Sequence, residues 1–395
     1  MILRPHRRAI LRGGLSWGAV VFVGGTEALV ERLCAQPLCD AAPLGELVAL
    51  VPLHGDRVQQ TPLGQMVGGP GLDARLFTDL STLQPGKLLT PTAEMFVRTA
   101  VPAALRTIPN TWSISVSGFA RSTLDIERLR RDARPMGAHL IECSGNADPN
   151  NFGLMSVTDW TGVPIARLVT ELGVKAGASG LLISGIDEPH QTSRSSNPGA
   201  SWILPLDSLE RLGAFLAVTM NGEPLTADHG APVRLVVPGW YGCSWIKWVN
   251  ELRLVGADER PTSQMIEFSL RTHQPDREAL ARDYEPPVID VAATPIRVEK
   301  RRVEGRLEYR VVGIVWGGER PVEQLAIRFN VGEAPHVFSL CPTPTTHRTW
   351  SLWDYRWRPT TPGVYSIALR ATDPSIRTRR LDVSYYVRRV VIDEV

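Results

Sequence analysis

The sequence contains no CxxC or CxxCH motif, and it has no apolar run long enough to span a bilayer comfortably. The missing cysteine motifs argue against a zinc ribbon and against covalently attached haem. The sequence also lacks a large excess of either charge, because 43 basic and 41 acidic residues leave a net charge of +2. Nucleic-acid binders usually carry a concentrated basic face, so no nucleic-acid partner is expected. A hydrophobic fraction of 43% is that of an ordinary soluble globular protein, and 395 residues predict two domains.

Residues 1–39 are predicted to be an export signal and its processing region. Arg7 and Arg8 precede an apolar stretch from about Gly13 to Gly25, which is too short for a stable membrane span and is followed by charged residues. The arginine pair followed by Ala-Ile-Leu-Arg resembles a twin-arginine export signal, and an ordinary secretory signal is the alternative. Either signal predicts an exported protein, and we expect it in the periplasm.

Composition and hydrophobic pattern divide the rest of the chain into three segments. Residues 40–95 are rich in Pro and Gly and are expected to be a wrapping segment, mostly coil with a short helix. Residues 96–287 alternate short apolar runs with turns, which predicts an α+β catalytic domain. Residues 288–395 show period-two patterns separated by turns, which indicates an immunoglobulin-like β-sandwich. Within 96–287 the patterns predict strands at 111–118, 137–145 and 233–240 and helices at 122–133 and 206–219.

Five cysteines are present, namely Cys34, Cys39, Cys143, Cys243 and Cys341. If processing removes the first two, an odd number remains in an oxidising compartment, which implies a thiol with another use. Cys243 and Cys341 could form a disulfide or pack as free thiols. Cys143 lies in LIECSGN, where its thiol could be buried packing, a nucleophile or a metal ligand.

The stretch MNGEPLTADHGAPVRLVVPGWYGCSWIKW at 220–248 contains His-Gly-x-Pro-x-Arg, then Val-Pro-Gly, then Lys-Trp. Together with ECSGN and the sandwich beyond, it resembles the sulfite oxidase family of molybdopterin enzymes. The resemblance extends from about Pro91 to the C-terminus and implies a molybdopterin-binding α+β domain followed by a sandwich that pairs with its copy. We therefore expect a homodimer, with Trp350, Trp353 and Trp357 as interface anchors or as sandwich core.

This resemblance implies a site for a molybdenum-molybdopterin cofactor. Cys143 matches the thiolate that ligates molybdenum, and Arg98, in the segment FVRT that begins at Phe96, is expected to face the oxygen ligands of the metal. The family often has Asn-His after this arginine, whereas this chain has Thr99-Ala100. The remaining cofactor contacts are assigned by motif to Asp187 for the pterin, His229 and Arg234 for the phosphate and pterin edge, and Ser244, Trp245 and Lys247 for the rest of the pocket.

The substrate side matches the family less completely. Trp160 corresponds to a tryptophan that helps to wall the pocket, and Tyr284 resembles an active-site tyrosine in a similar Asp-Tyr pair. Family members that act on sulfite carry an arginine five residues beyond the ligand cysteine, where this chain has Asp148. A carboxylate at this position would repel an oxyanion, so the departure predicts weak capture of sulfite if Asp148 points inward.

The implied function is oxidation of a small sulfur compound such as sulfite by oxygen-atom transfer. No haem signature is present, so the electrons are expected to pass to a separate c-type cytochrome or a similar acceptor. The alternatives are sulfane-sulfur dehydrogenation or sulfoxide reduction on the same scaffold, and an exported β-sandwich binding module with a degenerate cofactor domain. The intact Cys143, His229, Arg234 and Lys247 argue against the binding module.

Overall fold

The computed structural model describes residues 44–55, 66–67, 71–109, 111–146, 152–187, 199–274 and 280–395. Within these ranges no helix is long and apolar enough to cross a membrane. The first eleven strands are β1 (Glu46–Val51), β2 (Leu53–Gly55), β3 (Met66–Val67), β4 (Arg75–Leu76), β5 (Val97–Arg98), β6 (Ser113–Gly118), β7 (Ser122–Asp125), β8 (Arg134–Glu142), β9 (Met155–Pro164), β10 (Gly180–Gly185) and β11 (Ser201–Pro205). They are followed by β12 (Phe215–Met220), β13 (Glu223–Pro224), β14 (Arg234–Val236), β15 (Val249–Val255), β16 (Ala292–Val303), β17 (Arg306–Trp316), β18 (Gln324–Arg328), β19 (His336–Ser339), β20 (Ser351–Trp357), β21 (Gly363–Ala371) and β22 (Arg388–Ile392).

Three sheets form the α+β part of the molecule. The first has the order β11-β10-β15-β6-β7, the second has the order β13-β12-β9-β8 with β14 paired to β12, and the third is the small sheet β3-β4-β5. Four short α-helices occur within the described ranges, namely α1 (Ile126–Asp132), α2 (Ile165–Glu171), α3 (Leu209–Leu212) and α4 (Ser263–Phe268). The 3-10 turn Ser269–Thr272 continues α4 directly. The expected α+β domain of the chain is confirmed.

The C-terminal part is a β-sandwich, as predicted. One sheet has the order β1-β16-β17-β20 and the other the order β19-β18-β21-β22-β2. The alternation expected around β21 is observed, because Ile367 and Leu369 face the core with 0% and 3% exposure, while Arg370 is exposed. The strands β17 and β18, which flank Gly-Gly-Glu-Arg-Pro, lie in different sheets, so this connection crosses the sandwich.

Two predicted helices are partly wrong. In 122–133 only α1 is helical, capped by the Asp125 side chain, which accepts a hydrogen bond from the Arg128 N–H at 2.8 Å. The preceding residues form β7 on the edge of the first sheet. In 206–219 the helix ends at Gly213, whose φ of 62° is left-handed and suits a residue without Cβ. The apolar residues that follow form β12, which pairs with β9 and β14 and is buried at five of its six positions, as in a strand whose two faces are both covered.

The segment 40–95 differs from the predicted coil with a short helix. Its described residues contain four strands and several 3-10 turns, but no α-helix. The strands β1 and β2 pair with β16 and β22, so they complete both sheets of the sandwich. The strand β4 pairs with β5 and places Arg75 opposite Arg98. The wrapping segment therefore contributes to both parts of the molecule.

Two tryptophans of the sandwich, and the cysteines Cys243 and Cys341, have definite places in the structure. Trp350 and Trp353 are 1% and 0% exposed within one chain, so they are core residues and do not anchor an interface. Trp353 packs flat against β17, where a Cβ on Gly313 would lie 2.1 Å from its ring. Cys243 is a free buried thiol, whereas Cys341 is disulfide-bonded. A Cys243–Cys341 disulfide is therefore excluded, and the alternative that both are free is wrong for Cys341.

Candidate functional site

One cleft in the α+β part collects most of the predicted site residues. It has about 950 Å³ of empty space, a figure that includes its open mouth. Its lining includes eight residues that the sequence singled out, namely Phe96, Arg98, Cys143, Asp187, His229, Arg234, Trp245 and Lys247. These residues come from the ends of several strands and from the turns that follow them. Their individual roles remain predictions.

Cys143 occupies the first position of a tight turn at the end of β8. Its N–H donates to the Leu154 carbonyl at 2.9 Å, and its own carbonyl accepts from the Asn146 N–H at 2.9 Å. The Gly145 N–H points back to the sulfur, with an N to Sγ distance of 3.4 Å. The thiol is half-buried and lines the cleft. A backbone donor aimed at sulfur stabilises a thiolate, which is the form that binds metals.

Arg98 and Arg75 lie side by side on β5 and β4, near Cys143. The Arg98 guanidinium donates to the Leu72 carbonyl at 2.5 Å, and that of Arg75 donates to the same carbonyl at 2.9 Å. Burial lowers the pKa of Arg98, while the nearby sulfur of Cys143 opposes this effect. Burial, together with the charge of Arg98, lowers the pKa of Arg75 to about 10. Two buried cations thus face the region of the thiol.

Arg234 and Lys247 form a second group of cations in the lining of the cleft. Arg234 is 3% exposed and donates from its two terminal nitrogens to the carbonyls of His229 and Trp245 at 3.1 and 3.4 Å. Its Nε is buried and has no hydrogen-bond partner. Lys247 donates to the carbonyls of Thr99 and Asp228 at 2.5 and 2.9 Å. Thr99 stands where the family often has asparagine, but its backbone carbonyl still contacts Lys247 of the predicted pocket.

The pKa values of this second group are lowered mainly by burial, and for Lys247 and His229 also by the neighbouring cations. Burial lowers the pKa of Arg234 to about 9. Burial, followed by the charge of Arg234, lowers the pKa of Lys247 to about 7. Burial and the charges of Lys247 and Arg234 lower the pKa of His229 to about 4. Crowded cations of this kind are stabilised when an anion binds among them, so the cleft favours an anionic occupant.

Three predicted residues do not line the cleft. Trp160 is 0% exposed and lies behind it, with the Arg234 guanidinium 5.5 Å from the centre of its ring and the Trp245 ring 6.0 Å away. Ser244 is buried and donates from Oγ to the Tyr241 carbonyl at 2.9 Å, so it shapes the turn that carries Trp245. Tyr284 is buried after a 3-10 turn at 281–283, away from the lining. Asp148 lies outside the described residues.

Sequence reasoning missed the segment formed by α4 and the turn after it. Gln264, Phe268 and Arg271 line the cleft from this segment. The Arg271 guanidinium lies over the Phe268 ring at 5.6 Å. A Cβ built on Gly145 would be 3.7 Å from the Cys143 sulfur and 3.8 Å from Arg271 Nη1, so both groups border the same space. The sequence offered no motif for Arg271, because one arginine in a short amphipathic helix has no distinguishing pattern.

Comparison with known proteins agrees with the family resemblance of the sequence motifs. Residues 99–263 match the oxidoreductase molybdopterin binding domain. Mitochondrial sulfite oxidase of Drosophila melanogaster is 26% identical over 328 residues, which cover 76% of this chain and 55% of the relative. Inducible nitrate reductase [NADH] 2 of Glycine max is 25% identical over 329 residues, covering 74% of this chain and 37% of the relative. The matched domain and these relatives support a molybdopterin oxidoreductase of the sulfite oxidase family.

The similarity to a solved structure concerns the fold. The sulfane dehydrogenase SoxCD from Paracoccus pantotrophus superposes with a TM-score of 0.59 over 97% of this chain and 96% of that chain, at 18% sequence identity. The alignment therefore includes both the α+β part and the sandwich of this family member. The chain spans about half the length, or less, of the curated relatives above.

The cleft fits the molybdopterin cofactor of this family. A pterin phosphate is an anion, and Arg234 and Lys247 form a buried cationic pocket for it, beside the neutral imidazole of His229. The unpartnered Nε of Arg234 is a donor without an acceptor, as expected for a residue that completes its hydrogen bonds with a ligand. Asp187 lies on the same wall and could accept from pterin nitrogens, while the Cys143 thiol is the soft ligand that molybdenum prefers.

Proposed function

We propose that this family member oxidises a small sulfur-containing anion and passes the electrons to a separate acceptor of the c-type cytochrome kind. The observation that carries the proposal is that one cleft brings Cys143 together with the cationic side chains of Arg98, Arg271, Arg234 and Lys247. A single thiolate among cations suits a metal that binds and turns over anions. No haem-attachment motif is present in the sequence, which supports a separate electron acceptor.

The residues of the cleft divide into two roles. Arg234, Lys247, His229 and Asp187 hold and orient the cofactor, whose bound molybdenum supplies the two-electron redox chemistry. Arg98 and Arg271 border the space beside the Cys143 sulfur, where they attract an anionic substrate and fix its orientation. Phe268 supports the guanidinium of Arg271 and gives this wall an apolar surface. Burial keeps most of these charges away from bulk water, which strengthens their attraction for the anion.

A metal analysis followed by a substrate panel tests the proposal. Protein from a host that makes molybdopterin should contain about one molybdenum per chain, as expected from a single ligand thiolate. The panel compares sulfite, thiosulfate and an organic persulfide with an artificial one-electron acceptor, and a sulfoxide with an artificial donor. Turnover of one of the first three supports the proposal. Sulfoxide reduction alone would replace it with the reductive alternative, and protein without molybdenum would contradict it.

Arg271 offers a prediction about capture of the substrate. Arg271→Met should lower kcat/KM for an anionic substrate about tenfold at low salt, because it removes a unit charge at the mouth of the cleft. The effect should shrink as ionic strength rises, since the side chain is exposed to solvent. Arg282→Met is the matched control, because Arg282 is 56% exposed, pairs with Asp283 and does not line the cleft. Equal losses in both variants would contradict a local role for Arg271.

A further inference from the structure

A buried ion pair connects the residue before Cys143 to the sandwich. Arg379 lies between β21 and β22, and its two terminal nitrogens each donate to one carboxylate oxygen of Glu142 at 2.7 Å. The side chains of Glu142 and Arg379 are 0% and 10% exposed. The Trp316 indole, at the end of β17, also donates to Glu142 at 2.8 Å. Two segments of the sandwich therefore hold the residue that precedes the predicted metal ligand.

The same arginine contacts a second wall of the cleft. Its guanidinium donates to the Tyr241 hydroxyl at 3.0 Å and to the Tyr386 hydroxyl at 2.7 Å. Tyr241 begins the turn whose next residues, Gly242 and Cys243, line the cleft. Arg379 is thus a common anchor for the turn at Cys143 and for the turn at Gly242, although it does not itself line the cleft.

Glu142 also determines the shape of the turn that carries the thiol. Its carboxylate accepts from the Asn146 side-chain amide at 2.9 Å. The amide oxygen of Asn146 in turn accepts from the backbone N–H groups of Gly153 and Leu154, each at 2.9 Å. The turn between Glu142 and Asn146 is therefore held at both ends. Inside it lies the Gly145 N–H that points at the Cys143 sulfur.

The energetics of the pair favour a geometric role. Removing two charges from water costs several kcal/mol per ion, so a buried pair adds little net stability, although breaking it is costly. Burial would lower the pKa of Arg379, but the charge of Glu142 raises it well above the ordinary value, so the arginine stays charged. With two ions and four neutral hydrogen-bonding groups satisfied together, the arrangement has one well-defined geometry.

We propose that Glu142 and Arg379 are positioning residues through which the sandwich fixes the orientation of the Cys143 sulfur. This inference rests on the proposed function, because the orientation of the sulfur matters through the metal it binds. Partners of a metal ligand tune the site as well as hold it. Without the pair, the turn loosens and the Gly145 N–H no longer points steadily at the sulfur.

Three variants and two measurements test the proposal. The variants are Glu142→Gln, Arg379→Met and the milder Trp316→Phe, which removes only one hydrogen bond to Glu142. The first measurement is the electron paramagnetic resonance signal of pentavalent molybdenum in the loaded enzyme after chemical reduction, without substrate. The second is the rate at which iodoacetamide alkylates Cys143 in the cofactor-free protein, followed by peptide mass spectrometry.

Both measurements should change in the same sense in the two charge variants. Each variant should shift the molybdenum signal and raise the alkylation rate by roughly threefold or more, because local opening exposes the thiol. Trp316→Phe should give a smaller change in the same sense. A purely electrostatic effect would instead have opposite signs in Glu142→Gln, which removes a negative charge, and Arg379→Met, which removes a positive one.

Glu299→Gln is the matched control. Glu299 is also 0% exposed and pairs with Arg297 and Arg301 at 3.0 and 2.8 Å, but it lies in the sandwich and does not contact the turn at Cys143. It should lower thermal stability and leave both measurements unchanged. If Glu142→Gln and Arg379→Met do the same, or shift the signals in opposite directions, the positioning role is wrong. If the wild type binds no molybdenum, the proposed function fails, while the alkylation rates still decide whether the pair orders the turn.

Discussion

Cys143→Ser is expected to reduce turnover by more than about 100-fold, because losing even an outer partner of a metal ligand costs about 10–100-fold. Serine is nearly the same size as cysteine, but its oxygen is a hard ligand and its hydroxyl does not ionise near neutral pH, whereas the predicted ligand of molybdenum is a soft thiolate. The Gly145 N–H would also lose the sulfur to which it points at 3.4 Å. Some pterin should remain bound, since its cationic pocket lies on other walls of the cleft.

The measurement is kcat on the best substrate of the panel, together with molybdenum and pterin content per chain. Cys243→Ser is the comparison, because Cys243 is the other free thiol of the described residues and is buried in the wall of the same cleft. It should retain molybdenum and most of the turnover. A Cys143→Ser enzyme with full activity would show that the sulfur is not the ligand.

Arg234→Met is expected to lower cofactor content about 10–100-fold, the range found for partners that hold a metal centre. The guanidinium is 3% exposed, with Trp160 and Trp245 rings at 5.5 and 5.8 Å, so its removal leaves a position with aromatic surroundings and no charge of its own. Methionine keeps the apolar stem and removes the charge. Arg234→Lys should recover only part of the content, because an ammonium cannot make the bidentate contact of a guanidinium.

Thermal unfolding of the cofactor-free protein separates binding from folding. A buried cation without a carboxylate partner is unfavourable, so Arg234→Met should be at least as stable as the cofactor-free wild type. Arg253→Met is the control for a lost arginine in the same part of the chain, since Arg253 is partly exposed and pairs with Glu259 at 3.1 Å. Normal cofactor content in Arg234→Met would remove Arg234 from the binding pocket.

The sequence predicted the fold well where one local pattern determined the structure. The alternation at Ile367 and Leu369 is a direct consequence of one buried face, and the sandwich followed from it. The helix expected at 206–219 shows the limit of such reasoning. Leucines at helical spacing fit α3 up to Gly213, but the same apolar character in β12 is explained by burial between neighbouring strands. Tertiary pairing of this kind is not visible in the local sequence.

For the site, too, local motifs predicted some residues, while others became visible only in the structure. Cys143, His229, Arg234 and Lys247 could be found because contiguous motifs carry them. Arg271 lines the same cleft, and Arg75 lies beside Arg98 at its edge, from segments without a motif; only the position of α4 and the pairing of β4 with β5 bring them there. Tyr284 is the opposite case, because a local Asp-Tyr match predicts it in the site although it does not belong to the cleft lining.

The pairing of β2 with β22 has a consequence for the order in which the molecule is made. Leu53 lies opposite Val390. The strand β2, near the beginning of the described chain, therefore cannot pair until β22, the last strand, has been synthesised. Contacts between such distant residues form slowly, because a large loop must close first. Glu142 likewise has no arginine partner until residue 379 has emerged from the ribosome. The turn that carries Cys143 therefore reaches its final shape only after translation of the chain is nearly complete.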